Sequence, residues 1–200
     1  MFEKQGTIRI SKMVSIINNL VPTDKIICDL GCGKGAISNS VKAKKIITID
    51  IDPANEPDIV HNFVDGIPLD DESVDICIAG EILEHVYHSK LFLKDIRRVL
   101  KPNGKLILST PNICSLKYRF AFMFGILPSN AARADMFYED GMPGHVRDYT
   151  FYEVKNLMAK CGLKVILETS DGLYYHGIKV IPESVLPITM QECIIVMAEK

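Results

Sequence analysis

Apolar residues at Ile10, Met13, Val14, Ile17 and Leu20 recur at helical spacing, and Val21-Pro22 stops that pattern before the first strand. Residues 1–22 are therefore expected to form a lead-in helix. Beyond it, short apolar runs at 25–29, 45–50, 59–63, 74–79 and 105–109 alternate with helical patterns, one running through Val41 and one over 89–100. Strands alternating with helices predict a parallel sheet of the α/β class. In the second helix, Leu91, Ile96, Val99 and Leu100 make one apolar face, Ser89 is placed to cap it, and Lys101-Pro102-Asn103-Gly104 supplies a stop and a tight turn. Further on, Thr150-Phe151-Tyr152-Glu153 fits a capping box, and Gly162 stands just past the last turn of the helix it starts. Runs at 165–169 and 192–197 complete the sheet. Two segments fall outside the alternation, 111–149 and 171–191. Both follow strand ends, where open α/β sheets bind ligands, so they are the expected sources of substrate specificity.

Composition narrows this picture. A chain of 200 residues with 48% hydrophobic residues supports one well-buried core, so 1–200 is read as a single domain. The net charge of −2, with both signs interspersed, offers no basic stripe, and nucleic acid is not an expected partner. The longest apolar stretch, 120–127, is interrupted by Gly125 and is far short of the roughly 20 residues that span a bilayer, so the expectation is a soluble, cytoplasmic protein. Six cysteines are scattered, mostly in apolar runs, with no Cys-x-x-Cys pair. The spacing of Cys28 and Cys32 does not suit zinc, and no metal is expected.

The densest chemical signal is Ile26-Ile27-Cys28-Asp29-Leu30-Gly31-Cys32-Gly33-Lys34-Gly35, a strand that ends in an acid and opens into alternating glycines. Glycines there let the backbone turn sharply and let a ligand lie against it. A second strand ends in Asp50, roughly 20 residues on, the spacing at which dinucleotide-type folds hold a ribose. Gly-x-Gly-x-Gly differs from the Gly-x-Gly-x-x-Gly of pyrophosphate binders, and a carboxylate at Asp29 would repel a pyrophosphate and attract a cation.

On these residues the chain resembles the class I S-adenosylmethionine-dependent methyltransferases of small-molecule type. The resemblance implies a Rossmann-like seven-stranded, mostly parallel sheet with helices on both faces and an antiparallel last strand. It implies S-adenosylmethionine as cofactor and S-adenosylhomocysteine as product. By the same resemblance Asp29, Gly31, Cys32 and Gly33 face the methionine moiety, Asp50 takes the ribose hydroxyls and Ile51 offers an edge to the adenine. Asp65 and Gly66 stand near the adenine amino group, and Ala79 borders the cofactor after the fourth strand. A carboxylate can accept from two adjacent hydroxyls in charge-assisted bonds, which suits Asp50.

The segment Glu81-Ile82-Leu83-Glu84-His85 resembles the family's post-strand motif, and the Asn/Asp-Pro-Pro-Tyr motif of base and amide methylators is not found there. Methyl transfer from a sulfonium needs alignment and, where the acceptor carries a proton, a base. His145 is the candidate base, with fastening of the segment around it as the other reading. His85, Arg147 and Tyr149 are candidate substrate-binding residues. The stretch 113–142 carries Leu116, Phe120, Phe122, Met123, Phe124 and Leu127, more apolar surface than a solvated loop exposes. Within the insert at 111–149 it reads as a lid over the active site, as a homo-oligomer contact, or as packing onto the sheet. The expected reaction is methylation of an oxygen or nitrogen on a small-molecule acceptor. The alternatives are a catalytically silent module binding cofactor or partner, and a nicotinamide-dependent oxidoreductase.

Overall fold

The computed structural model describes residues 3–127, 144–175, 178–181 and 184–200. The part of the expected insert at 128–143 lies outside the described residues. Helix α1 (Glu3–Asn18) comes first, as its apolar spacing predicts. Strands β1 (Ile26–Leu30), β2 (Lys45–Asp50), β3 (Ile59–Val60), β4 (Val74–Gly80) and β5 (Leu100–Pro111) follow, with α2 (Ser89–Val99) before β5. Then come α3 (Leu116–Met123), α4 (Phe151–Lys160), β6 (Lys164–Thr169), β7 (Leu173–Tyr175), β8 (Ile178–Ile181) and β9 (Cys193–Glu199).

Seven strands form one sheet in the order β3-β2-β1-β4-β5-β9-β6, and β7-β8 form a separate hairpin. Strands β1 to β5 pair in parallel, while β9 is antiparallel to both β5 and β6, so the expected antiparallel last strand is present. The chain runs outward from β1 to β2 and β3 on one side and to β4 and β5 on the other. The crevice at the carboxyl ends of β1 and β4 is therefore the topological switch point, where such sheets take ligands.

Both faces of the sheet are covered. Met13 and Ile17 of α1 pack with Ile27, Ile76, Ile78, Ile107 and Ile195 on one face. Phe92, Leu93 and Ile96 of α2 and Val154 and Met158 of α4 pack with Leu30, Cys77, Leu106 and Val196 on the other. Each fully buried Leu or Ile in these layers contributes about 1.5–3 kcal/mol over leaving it in water.

Four local expectations need correction. The helix expected through Val41 is absent; a 3-10 turn (Ser38–Ser40) replaces it. Gly35 turns the backbone at φ +71°, and the side chains of Asn39 and Ser40 bond back to the carbonyls of Lys34 and Ala36, offering the backbone partners that compete with helix. In α2 the buried face is Phe92, Leu93, Ile96 and Val99, and Leu91 is exposed. Ser89 does not cap this helix; it is the first helical residue, and its hydroxyl pairs with Val86 O and Tyr149 Oη. The expected turn at 101–104 lies inside β5, as a register shift against β4 with Asn103 at φ +63°. The capping box of α4 is present as read, with Thr150 Oγ1 accepting from Glu153 N and the Glu153 carboxylate accepting from Thr150 N.

Candidate active site

Because β1, β2 and β4 are parallel, their carboxyl ends lie together, and Asp29, Gly31, Cys32, Gly33, Asp50, Ile51 and Ala79 stand at or next to those ends. Asp29 is the penultimate residue of β1, and Gly31, Cys32 and Gly33 directly follow the strand. Gly31 has φ +68°, and a Cβ on it would stand 2.8 Å from Ile82 Cδ1, so both backbone and space require glycine. Gly33 has φ +50° and open space within 4 Å of where a Cβ would be. Its amide donates to Asp50 Oδ2 at 2.8 Å, which ties the glycine loop to the end of β2.

Asp50 is buried, and its other oxygen accepts from Asp52 N at 2.9 Å and Asn55 Nδ2 at 3.2 Å. Ile51, next to it, is exposed. Asp29 is also buried. Desolvation pushes its carboxyl up to about 6, Ser38 opposes the shift, and the Asp50 charge adds to it. The Ser38 hydroxyl itself has no partner at hydrogen-bond geometry. Cys32 is pushed up to about 11, by burial first and then by the Asp29 and Asp50 charges, so it stays a thiol, a poor metal ligand and nucleophile at neutral pH.

The loop after β3 carries Asp65, exposed at the end of the 3-10 turn Phe63–Asp65, and Gly66 at φ +87°. Arg98 of α2 holds this loop. Its Nη1 donates to Leu69 O and Asp71 Oδ1 at 2.8 and 2.7 Å, and its Nη2 to Ile67 O at 2.8 Å. Its Nε donates to Asp95, which in turn accepts from Ile67 N. His61 Nε2 bonds the Gly66 carbonyl at 2.9 Å. Sequence reasoning missed Arg98, Asp95 and His61 because only the folded loop brings them to Gly66.

Ala79 is fully buried in β4, and the chain leaves that strand at Glu81, a non-glycine residue at φ +56°. Glu81 Oε1 accepts from Ser109 Oγ at 3.0 Å and stands 3.8 Å from Arg9 Nε of α1. Glu84 is 1% exposed and begins no regular element of length; it sits in the 3-10 turn Leu83–His85. Its Oε2 accepts from Thr110 Oγ1 at 2.8 Å, and its Oε1 is buried with no hydrogen-bond partner. Burial, then the Glu81 charge, pushes its carboxyl pKa upward.

The Glu84 carbonyl accepts from Val146 N at 2.8 Å and Arg147 N at 3.3 Å. That pairing lays His145 beside His85, with ring centroids 5.0 Å apart and edge to face. Glu84, His85 and His145 bring ligand-capable atoms within 4.8 Å of one another. Arg147 is exposed, and Tyr149 is buried with its hydroxyl 2.6 Å from Ser89 Oγ, fastening the segment to α2. Among the described residues no helix is long and apolar enough to cross a membrane.

Open space lies where a Cβ on Gly33 would stand, and the Gly33 amide is held by the Asp50 carboxylate, a group whose chemistry suits the hydroxyls of a nucleoside cofactor. Of about four acceptor positions on a carboxylate, Asp50 has three in use, so one more hydroxyl fits as it stands and a second fits once Asn55 swings away.

Known proteins agree with this geometry. Residues 28–108 match the family profile described as Methyltransferase domain. A Mycolicibacterium smegmatis protein named a probable S-adenosylmethionine-dependent methyltransferase is 28% identical over 163 residues, covering 76% of this chain and 55% of that protein. The mitochondrial ubiquinone biosynthesis O-methyltransferase of Mus musculus is 27% identical over 175 residues, covering 75% of this chain and 44% of that protein. The chain thus spans about half the length of these two relatives. Among solved structures, a Methanosarcina mazei S-adenosylmethionine-dependent methyltransferase has the same fold with a TM-score of 0.64 at 22% identity, covering 92% of this chain and 96% of that one. The Burkholderia thailandensis 1,6-didemethyltoxoflavin-N1-methyltransferase, solved with S-adenosylhomocysteine, gives 0.61 at 13% identity, covering 96% and 77%. With the acid-flanked glycine loop, the acid ending β2 and this sheet order all in one chain, residues 28–108 carry a methyltransferase domain and the chain is similar in sequence and fold to the class I S-adenosylmethionine-dependent methyltransferases.

Proposed function

We propose that the chain transfers a methyl group from S-adenosylmethionine to an oxygen or nitrogen of a small-molecule acceptor. The observation that carries this reading is the Gly33 amide bonded to Asp50 across the ends of β1 and β2, with open space in front of the glycine. When bound, the cofactor supplies an electrophilic methyl on a sulfonium. The chain's residues bind and align. Ionised Asp29 attracts the methionyl ammonium, Gly31 to Gly33 give backbone contact, and Asp50 accepts from the ribose. Ile51 and the Asp65-Gly66 loop border the adenine, and Ala79 closes the floor. Alignment of this kind removes much of the entropic part of a displacement barrier.

The acceptor enters at the carboxyl ends of β4 and β5, where His85 and His145 stand and where Arg147 is exposed to meet an anionic group. The names of relatives support both acceptor atoms, since the mouse protein is an O-methyltransferase and the Burkholderia protein an N1-methyltransferase. Calorimetry with S-adenosylmethionine tests the reading directly. Native protein binds one equivalent, and Asp50→Ala loses at least about tenfold in affinity, the scale of one charge-assisted bond. Undiminished binding by the variant would remove Asp50 from the site. Transfer of labelled methyl to a metabolite extract then identifies the acceptor class.

A further inference from the structure

We propose that Glu84, His85 and His145 form a binding site for one divalent first-row transition cation, a role that departs from the sequence-based expectation of no metal. Three independent observations point there. The three side chains present a carboxylate oxygen and two imidazoles within 4.8 Å of one another, close enough for small rotations of the half-buried rings to gather them on one ion. The Glu84 carboxylate is 1% exposed, and its Oε1 is buried without a hydrogen-bond partner, which in a folded protein calls for an explanation. The backbone also joins the two segments that carry the ligands, across about 60 residues of chain: Val146 and Arg147 donate to the Glu84 carbonyl, and the His145 ring stands edge to face with the His85 ring.

The donor set selects the ion. One carboxylate with two imidazoles suits zinc, manganese, iron or cobalt, whereas calcium and magnesium take shells of oxygen. Thr110 Oγ1, bonded to Glu84 Oε2 at 2.8 Å, is the outer partner that orients the carboxylate and leaves Oε1 to the cation. Three protein ligands leave coordination positions open. The site lies at the end of β4, on the same edge of the sheet as the glycine loop, so those positions are available to an acceptor oxygen. A hydroxyl bound to such an ion gives up its proton to solvent water more readily, and the alkoxide oxygen left on the ion takes the methyl as the sulfonium's C–S bond breaks, so His145 acts as a ligand in place of a free base. This last role rests on the methyl-transfer reading; binding of the cation does not.

The test uses the full chain freed of metal by chelation and titrated with Co(II), followed by visible absorption. The expected result is one equivalent bound with new d–d bands, and loss of at least tenfold in affinity in both His85→Ala and His145→Ala. His61→Ala, an imidazole at the other side of the crevice, binds cobalt like the native chain. Glu84→Gln keeps the shape and removes the charge, and it loses binding too. Circular dichroism of the two histidine variants matching the native spectrum keeps the comparison valid. Absence of stoichiometric binding, or His85→Ala and His145→Ala titrating like the native chain, would overturn the proposal. Protein that binds S-adenosylmethionine but no cobalt overturns this site and leaves the proposed function standing.

Discussion

A buried carboxyl that keeps its proton to about pH 6 stands just before the glycine loop of a site expected to hold a cation, and that combination fixes how Asp29 behaves. Burial is the main cause, with Ser38 opposing and the Asp50 charge adding to the shift. In the unfolded chain the group ionises near its ordinary 3.8. The folded state therefore binds the extra proton between these values. The group's contribution to stability is complete below pH 3.8 and is lost as pH rises through 6, a change on the order of 3 kcal/mol. An ammonium arriving beside Asp29 selects the ionised form. Affinity for S-adenosylmethionine is thus expected to be level above about pH 7 and to weaken toward tenfold per unit below about pH 6. Calorimetry at pH 5, 6, 7 and 8 reads this, with Asp29→Asn as control: the variant binds more weakly at pH 8 and shows a flat profile. A native profile as flat as that of the variant would place the ammonium elsewhere.

Single elements matter here mostly through what they hold in place. Helix α2 buries Phe92, Leu93 and Ile96 in the core, and Arg98, itself paired with Asp95 of the same helix, clamps the loop that follows β3 by bonds to two carbonyls and the Asp71 carboxylate. Arg98→Ala leaves those acceptors to solvent. It is expected to cost about 2–3 kcal/mol in urea unfolding, the scale of a hydrogen bond to a charged group, and to weaken S-adenosylmethionine binding by freeing Gly66. Stability lost with cofactor affinity unchanged would separate this loop from the site.

Elements whose signal is local were legible in the sequence: the capping box of α4, the lead-in helix and the strands that end in Asp29 and Asp50. What misled were segments decided by competition or by tertiary context. At 38–40, side-chain bonds from Asn39 and Ser40 displaced the expected helix, and in α2 the phase of the buried face was set by contact with the sheet, which left Leu91 outside. The Glu-x-x-Glu-His segment was visible as a motif. Its meeting with His145 was not, because it depends on two backbone bonds between residues about 60 positions apart.

At the scale of the whole molecule the candidate cofactor site belongs to no one element. It draws on the ends of β1, β2 and β4 and on the loop after β3, which pack against helices on both faces of the sheet. A ligand seated there engages parts of the chain that separate on unfolding, so its binding energy adds to the stability of the entire fold. At a hundred times its Kd a ligand that binds only the folded state contributes about 2.7 kcal/mol. For a chain of 200 residues each kcal/mol raises Tm by about 2–4 °C, which gives a rise of about 5–11 °C. S-adenosylmethionine and S-adenosylhomocysteine are both expected to produce it, while reduced nicotinamide cofactor leaves Tm in place, because Asp29 and the glycine spacing oppose a pyrophosphate. Scanning calorimetry with each ligand checks the three outcomes together. A rise with the nicotinamide alone would transfer the site to hydride chemistry, and a rise with neither would leave the crevice between β1 and β4 without the ligand its residues fit.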